Sequence, residues 1–179
     1  MDNAAETQME IVISKNVISH RIQELGQEIS RDLAGEELVV IGVLKGAFIF
    51  MADLIRSLTI PAKIDFVRLK SYGQETESSG QVTITKDVEG EIELRGRNVL
   101  VIEDIVDTGL TLDFLKKHLE QHKPKDVRIC ALIDKLERRE RYVDLDYVGF
   151  EVAQGYLIGY GLDAAEEYRC LPDIYELKL

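Results

Sequence analysis

The sequence predicts an α/β fold, chiefly because one order of elements occurs twice. In residues 38–58 and again in 99–119, a run of apolar, mostly β-branched residues is followed by a short loop and an amphipathic helical pattern. A third apolar run lies at 126–133. Such runs are typical of strands buried on both faces of a sheet. In open sheets of this kind, ligands bind beyond the carboxyl ends of the strands, so functional residues are expected there.

The first helix is expected to begin after Ser14, a favoured N-cap residue type, and to stop at Gly35. The strand at 38–43 then ends at Lys45 and Gly46, and a second helix follows. A cation beside accessible backbone N–H groups makes a small anion site. It is not a Walker A loop, because no glycine-rich run precedes the lysine. Considered alone, a lysine in such a loop is more often simply solvated.

A hairpin is expected next. Residues 63–69 alternate in polarity, as a half-buried strand does, and residues 81–86 alternate again. Between them, residues 71–80 are almost entirely polar, which predicts a long polar tip. A mobile surface loop is the ordinary interpretation of such a segment.

The most informative stretch follows the apolar residues 99–102. Glu103 and Asp104 stand where that strand should leave the sheet, and the turn Asp-Thr-Gly-Leu-Thr at 107–111 leads into a helix. The turn is typical of a phosphate cradle, because it combines a glycine, two hydroxyls and the N–H groups of a helix start. Carboxylates repel phosphate, so the acid pair is better suited to a ribose diol, to Mg²⁺ or to proton transfer. Together these features indicate a phosphorylated sugar as ligand.

A purely structural explanation accounts for part of the same stretch. A strand followed by a helix with Asp107 as its N-cap would account for the turn, because aspartate is a favoured capping residue. It would leave Glu103 and Asp104 without a role. We therefore favour ligand binding.

The later part of the chain adds a cation at the same edge. Lys135 follows the apolar run 126–133, so it is expected at the carboxyl end of a strand, beside the acids. The basic run 138–141 is interpreted first as a solvated surface, with a phosphate contact or an RNA-binding patch as alternatives. A further strand is expected at 147–152. The glycine-rich segment 155–163 lacks the dinucleotide-binding fingerprint.

Composition limits the class of protein. The 179 residues suffice for one domain with a full core, and 45% hydrophobic with 31% charged residues is typical of a soluble globular protein. A net charge of -11 argues against general nucleic-acid binding. Cys130 and Cys170 lack metal-site spacing, and Cys130 is expected to be a buried thiol. Because the sequence contains no secretory signal and no membrane-spanning run, we expect a cytoplasmic protein with no membrane partner.

Residues 99–111 resemble the phosphoribosyl-pyrophosphate (PRPP) motif of the type I phosphoribosyltransferase family. The likeness covers both acids, the third aspartate and the Thr-Gly-x-Thr turn, and matching motifs extend from about Leu38 to Arg169. It implies a mainly parallel central sheet flanked by helices, with a small hood. The expected arrangement is a single domain, 1–179, with its core at about 36–145 and its hood built from about 1–13 and 146–179.

The resemblance assigns roles within the motif. By this likeness, Glu103 and Asp104 hold the ribose hydroxyls and take part in binding Mg²⁺. Asp107 is the catalytic residue, which accepts the proton from N7 of the purine. The residues expected to hold the 5′-phosphate are Thr108, Gly109, Leu110 and Thr111.

The resemblance also assigns residues to pyrophosphate. Lys45 and Gly46 match the pyrophosphate loop of the purine enzymes, in which a cis peptide often precedes the lysine, so we expect a cis bond before Lys45. Arg169 matches an arginine that contacts pyrophosphate. Ser71 and Tyr72 match a pair carried by a mobile lid over the active site.

For the base, Lys135 matches the lysine with which 6-oxopurine enzymes recognise their substrate. Tyr156 matches an aromatic residue that stacks on the purine, and the backbone of Leu157 is expected to meet the exocyclic group. Asp163 matches an aspartate that helps to hold Mg²⁺. The family often carries Pro-Asp and phenylalanine where this chain has Ala-Gln at 153–154 and Tyr156, a change that preserves stacking.

These likenesses imply transfer of the 5-phosphoribosyl group from PRPP to hypoxanthine or guanine, with Mg²⁺, by a homodimer or homotetramer. One alternative is an enzyme for xanthine, adenine or a pyrimidine. Lys135 argues against adenine, because a lysine and the 6-amino group of adenine are both donors. The other alternative is a regulator with the PRPP fold that binds nucleic acid. The acidic composition disfavours it, whereas the arginines at 138, 139 and 141 keep it open.

Overall fold

Two sheets and three helices make up the part of the chain that the structure describes. The structure is a computed structural model and describes residues 8–74, 77–88 and 92–178. In chain order, the elements are β1 (Gln8–Ile13), α1 (Lys15–Asp32), β2 (Leu38–Leu44), α2 (Phe48–Ser57), β3 (Ala62–Gln74), β4 (Glu77–Lys86), β5 (Asn98–Val106), α3 (Leu110–Glu120), β6 (Asp126–Lys135), β7 (Tyr147–Val152), β8 (Leu157–Ile158) and β9 (Ile174–Lys178).

The larger sheet has six strands in the order β4-β3-β2-β5-β6-β7. The pairs β3–β2, β2–β5, β5–β6 and β6–β7 are parallel, and β3–β4 is antiparallel. This arrangement confirms the predicted α/β fold with a mainly parallel sheet. It also brings the carboxyl ends of β2, β5 and β6 to one edge.

Helices cover both faces of the larger sheet. Val40 of β2 packs into a core with the apolar residues of α1 and α2, whereas its neighbours Val39 and Ile41 pack into a second core with those of α3. The alternation explains why the strand is apolar throughout, since each successive side chain enters a core on the opposite face. Cys130 is fully buried in the first core, as expected.

The helices begin and end close to the predicted positions. α1 follows Ser14, although the Ser14 side chain makes no capping hydrogen bond. α2 and α3 occupy the two segments in which helical spacing was recognised. Among the residues that the structure describes, no helix has both the length and the apolar character needed to cross a lipid bilayer.

A smaller sheet joins the two ends of the described chain. Its order is β1-β9-β8 with antiparallel pairs, and Gln8 pairs with Lys178. One predicted boundary needs correction, because β7, which we placed in the hood from residue 146, pairs in parallel with β6 in the larger sheet. The open edge of β6 offers unpaired backbone groups to the next strand, which explains its position.

The predicted hairpin has longer strands and a shorter tip than expected. Pairing between β3 and β4 continues through Ser71 and Tyr72, opposite Val82 and Gln81, as far as Gln74 opposite Glu77. The expectation of a polar loop over 71–80 was therefore wrong for the backbone. A polarity pattern shows which face of a strand is buried, whereas the hydrogen bonds between paired strands need only the backbone. A polarity pattern therefore cannot predict a polar extension of a hairpin.

Candidate active site

The predicted functional residues gather where β2, β5 and β6 end. The loop after β2 packs against two other parts of this edge. Gly46 lies against the Asp104 side chain on one side, and its carbonyl oxygen approaches Gly161 on the other. A Cβ atom on Gly161 would lie 2.3 Å from that oxygen, and Gly161 has a φ of +101°. A glycine is therefore required for the 155–163 segment to close on the loop after β2.

Glu103 and Asp104 form a buried acid pair at the end of β5. The Glu103 side chain is buried, and its Oε2 atom makes no hydrogen bond within the described ranges. The Asp104 Oδ1 atom accepts a hydrogen bond of 2.9 Å from the backbone N–H of Ile105. Burial raises the pKa of both carboxyls, and the charge of Asp104 raises the pKa of Glu103 further. Such a pair is suited to a cation or to hydroxyl donors, which would stabilise its ionised form.

Asp107 does not cap α3. The N-cap residue is Gly109, with a φ of +82°, which has no side chain to cap the helix. The Asp107 Oδ1 atom is buried without a hydrogen-bond partner in the described part of the chain, and its Oδ2 atom lies 3.6 Å from Arg138 Nη1. The capping alternative is therefore wrong. Asp107 presents an acceptor oxygen that the fold does not use.

The turn from 107 to 111, predicted to be a phosphate cradle, is held by a hydrogen bond to its own Thr108 side chain and by hydrogen bonds from the loop after β6. The Thr108 Oγ1 atom accepts a 3.4 Å hydrogen bond from the N–H of Leu110, the first residue of α3, and Thr111 lies in its first turn. The backbone N–H groups of Glu140 and Arg141 donate to the Thr108 carbonyl at 3.0 and 2.9 Å. The loop after β6 therefore fixes the cradle from outside.

Arg139 links the ends of β5 and β6. Its guanidinium donates to the carbonyls of Asp107 at 3.0 Å, Val106 at 3.1 Å and Lys135 at 3.2 Å, and it also pairs with the Asp134 carboxylate. Only 15% of its side chain is exposed, so a solvated surface, our first interpretation of this basic run, is wrong for Arg139. Nothing in the sequence distinguished it from its basic neighbours, because its acceptors are mostly backbone carbonyls.

Lys45 and Arg169 are linked by the carboxylate of Glu166, which pairs with both of them. The peptide bond between Leu44 and Lys45 is cis, as the resemblance implied. Lys45 Nζ lies 2.5 Å from Glu166 Oε2, and Arg169 Nη2 lies 3.2 Å from the same oxygen and 2.7 Å from Asp163 Oδ1. The predicted residues Lys45, Asp163 and Arg169 are thus brought together. Glu166 was missed, because no motif marked it.

The residues predicted to bind the base lie at the end of β6 and at the start of β8. Lys135 is the last residue of β6; it is buried, and its Nζ atom lies 3.3 Å from Glu137 Oε2. Tyr156 is 45% exposed, whereas Leu157 is buried in β8. The Tyr156 carbonyl accepts a 2.8 Å hydrogen bond from the N–H of Leu177, which fixes the backbone below the ring. A fixed, exposed aromatic ring is a stacking surface for a planar ligand.

Unpartnered buried polar atoms are concentrated in this region. Among the described residues, three buried side-chain atoms have no hydrogen-bond partner: Glu103 Oε2, Asp107 Oδ1 and Arg169 Nε. All three belong to residues predicted from the sequence to bind ligand. Buried polar atoms are nearly always satisfied in folded proteins, so such a concentration indicates groups reserved for a ligand.

The acids do not form a metal cage by themselves. Over the described ranges, no three His, Cys, Asp or Glu side chains lie close enough to hold a metal ion together. Glu103 and Asp104 are therefore not joined by Asp163 in one cluster. Carboxylate oxygens are nevertheless the donors that Mg²⁺ prefers, and Mg²⁺ commonly takes one or two carboxylates together with substrate phosphates.

Known phosphoribosyltransferases resemble this chain in sequence and in fold. Residues 11–165 match the model of the phosphoribosyl transferase domain family. The chain is 44% identical over 168 residues to a hypoxanthine-guanine phosphoribosyltransferase of Bacillus subtilis, covering 94% of this chain and 92% of that protein. The counterpart in Aquifex aeolicus is 42% identical over 168 residues, with 93% of each chain covered. A crystal structure of the Bacillus anthracis enzyme of that name has a TM-score of 0.88 and 46% identity, covering 97% of this chain and 99% of that one.

Proposed function

Because the chain belongs to the phosphoribosyl transferase domain family, we propose that it transfers the 5-phosphoribosyl group from PRPP to hypoxanthine or guanine. The products are IMP or GMP and pyrophosphate, so the reaction is one of purine salvage. The observation that carries this proposal is the set of three unpartnered buried atoms at the predicted site. Relatives 42–44% identical over nearly the whole chain bear the names of enzymes with this activity.

The reaction exchanges one bond at C1 of the ribose for another. The bond from C1 to pyrophosphate breaks, and its electron pair leaves with the pyrophosphate. A ring nitrogen of the purine then bonds to C1, and the purine N7 proton passes to the carboxylate of Asp107. Because the sugar becomes oxocarbenium-like between these events, catalysis consists mainly of positioning and of stabilising charge.

The diphosphate end of PRPP is assigned to Lys45 and Arg169, whose positive charges stabilise the leaving group. The 5′-phosphate is assigned to the cradle from Thr108 to Thr111, and the ribose hydroxyls to Glu103 and Asp104. Mg²⁺ would be held by oxygens of PRPP together with the Glu103–Asp104 pair or with Asp163, since the three carboxylates do not form one cluster in the described ranges, and it would add positive charge beside the diphosphate. The unpartnered Oε2 atom of Glu103 supports this assignment.

Base selection is assigned to the carboxyl end of β6 and to the segment before β8. Lys135 donates to the 6-oxo group, Tyr156 stacks on the ring, and the backbone of Leu157 meets the exocyclic group. A donor at the 6-position disfavours adenine, as argued from the sequence. Three arginines kept open the alternative of a nucleic-acid-binding regulator. Arg139 no longer supports it, because its guanidinium binds backbone carbonyls inside the site.

Further features of the enzyme follow from the resemblance. Ser71 and Tyr72 are assigned to a lid that excludes water from the oxocarbenium-like state. A homodimer or homotetramer is proposed as the working assembly. A cytoplasmic location suits the two free thiols, Cys130 and Cys170.

The test is a spectrophotometric assay with PRPP, Mg²⁺ and one base at a time. Hypoxanthine and guanine should yield nucleotide and pyrophosphate, whereas adenine and uracil should react far more slowly. The turnover of xanthine measures how strictly the site selects the substituent at the 2-position of the purine. Equal or better turnover of adenine would contradict the role of Lys135, and no turnover of any base would contradict the proposed activity.

A further inference from the structure

One carboxylate of the site has no role in the reaction described above. The Glu166 Oε2 atom lies 2.5 Å from Lys45 Nζ and 3.2 Å from Arg169 Nη2. A single oxygen therefore bridges the two cations that the proposed function assigns to the diphosphate group of PRPP. A carboxylate oxygen and a phosphate oxygen accept the same kind of hydrogen bond from these donors.

We propose that Glu166 is a built-in competitor of the diphosphate group, which PRPP must displace to reach Lys45 and Arg169. The inference rests on the proposed function, because that function supplies the ligand of the two cations. Lys45 and Arg169 pair directly with two carboxylates, Asp163 and Glu166, so their charges are balanced without a ligand, and the nearby Asp104 carboxyl adds no positive charge. Arrival of a diphosphate with Glu166 still in place would add negative charge to a neutral cluster.

The backbone around Glu166 is held in a conformation that residues other than glycine rarely adopt. Ala165, Glu166 and Tyr168 have φ values of +49°, +70° and +70°. Such residues persist where surrounding contacts hold them. Here the contacts include the two ion pairs of Glu166 and a 2.8 Å hydrogen bond from its backbone N–H to Asp163 Oδ2. Loss of the ion pairs removes part of what holds the segment.

The side chain itself is free to leave. Glu166 is 61% exposed, so its carboxylate can turn into water without crossing packed residues. Its carboxylate pairs with both cations, Lys45 and Arg169, so it competes for the donors that the proposed function assigns to the diphosphate. Exposed ion pairs are individually weak, which sets the competition at a level that a diphosphate overcomes.

The neighbouring Glu167 is a matched control. It is exposed as well, and within the described part of the chain its carboxylate makes no hydrogen bond or ion pair. Glu167→Gln removes the same charge one residue away from the cations. Any general effect of net charge on PRPP binding therefore appears in both variants, whereas loss of competition appears in Glu166→Gln alone.

The experiment measures PRPP and pyrophosphate binding with Mg²⁺ by calorimetry, and PRPP association by stopped flow. Glu166→Gln should bind both ligands about three- to tenfold more tightly than wild type, the range for one or two exposed ion pairs. The gain should lie in the association rate, because competition reduces the fraction of open sites. Glu167→Gln should stay within about twofold of wild type. Glu166→Ala repeats the test without an amide that could still bind Lys45.

Equal affinities in Glu166→Gln and Glu167→Gln, or weaker binding in Glu166→Gln with an unchanged melting temperature, would overturn the inference. Either result would leave the proposed function intact, because wild type would still bind PRPP and form nucleotide. Failure of wild type to bind PRPP would instead contradict the proposed function. The two failures are therefore distinguishable in one set of measurements.

Discussion

Gly46 and Asp104 approach each other so closely that a Cβ atom on Gly46 would lie 1.6 Å from Asp104 Oδ2. Gly46 belongs to the loop after β2, and Asp104 lies near the end of β5. The contact therefore joins the loop assigned to pyrophosphate with the acid pair assigned to ribose. A side chain at position 46 would force these two parts of the site apart.

Gly46→Ala should consequently abolish or strongly weaken PRPP binding. The added methyl group must displace either a buried carboxylate or the loop, and overpacking of this kind costs about 1–3 kcal/mol. Calorimetry with PRPP and Mg²⁺ measures the effect, with melting temperature as a measure of stability. Gly96→Ala is the control, since a Cβ atom there meets nothing within 4 Å although φ is +72°. PRPP affinity of Gly46→Ala within twofold of wild type would contradict the prediction.

Asp107→Asn should lower kcat by about 10²–10⁴-fold, the usual contribution of a general base. PRPP affinity should hardly change, because asparagine keeps the shape of the turn and Asp107 does not cap α3. The measurement compares kcat for nucleotide synthesis with PRPP binding in the same variant. Asp113→Asn, an acid-to-amide change in the first turn of α3, is the control. A kcat within about threefold of wild type would remove Asp107 as the base.

Lys135→Ala should reduce kcat/KM for hypoxanthine and guanine alike. Without its donor the 6-oxo group is left unpaired in a site from which much water is excluded, a loss of about 1–3 kcal/mol or about 5- to 150-fold. Steady-state kinetics with both bases measure the change. Lys125→Ala is the control, because Lys125 precedes β6 at the opposite end of that strand and pairs with Glu36. Unchanged kcat/KM for both bases would exclude Lys135 from the base site.

Glu103→Gln should stabilise the folded protein increasingly as pH rises. Burial raises the pKa of Glu103 above its usual 4.5, so the folded state binds this proton more tightly than the unfolded state does. The free energy of unfolding of wild type therefore falls as pH increases from about 4.5 through the raised pKa, and glutamine avoids the loss. Each unit of pKa shift corresponds to about 1.4 kcal/mol, or about 3–6 °C in a chain of this size.

Melting temperatures of wild type and variant between about pH 3 and pH 8, a window that includes the titration of a carboxyl with a lowered pKa as well as one with a raised pKa, test the sign. Glu36→Gln is a control with the opposite expectation, because the hydrogen bond from Lys125 lowers the pKa of Glu36. Its carboxylate is stabilised in the folded state, so Glu36→Gln should become less stable relative to wild type as pH rises through the titration of Glu36. Parallel curves for Glu103→Gln and wild type would contradict the assigned burial of Glu103.

Much of this structure could be predicted because apolar patterns report burial directly. Runs of apolar residues predict the strands that carry Glu103 and Lys135 and the strand that ends just before Lys45, and the fold places all three residues at one edge. The turn before α3 could be predicted because its chemistry is local, whereas its role as a phosphate cradle stays a prediction. The cis bond before Lys45 came from family resemblance and not from any local pattern.

The unpredicted features depend on contacts between distant residues. Arg139 binds backbone carbonyls at the ends of two strands. Because every residue has a carbonyl, the sequence does not show which ones will accept these hydrogen bonds. Glu166 meets Lys45 across 121 positions of the chain. The extension of β3 to Gln74 relies on backbone pairing, which leaves no trace in the polarity of the side chains.

The pairing of β1 with β9 also sets an order of assembly during translation. β8, which begins directly after Tyr156, pairs with β9, and β9 lies at residues 174–178. The strands that carry the PRPP cradle leave the ribosome well before β9 does. Because closure of so long a segment of chain is slow, the nascent protein should form the turn assigned to the 5′-phosphate before β9 fixes the backbone of Tyr156 and Leu157.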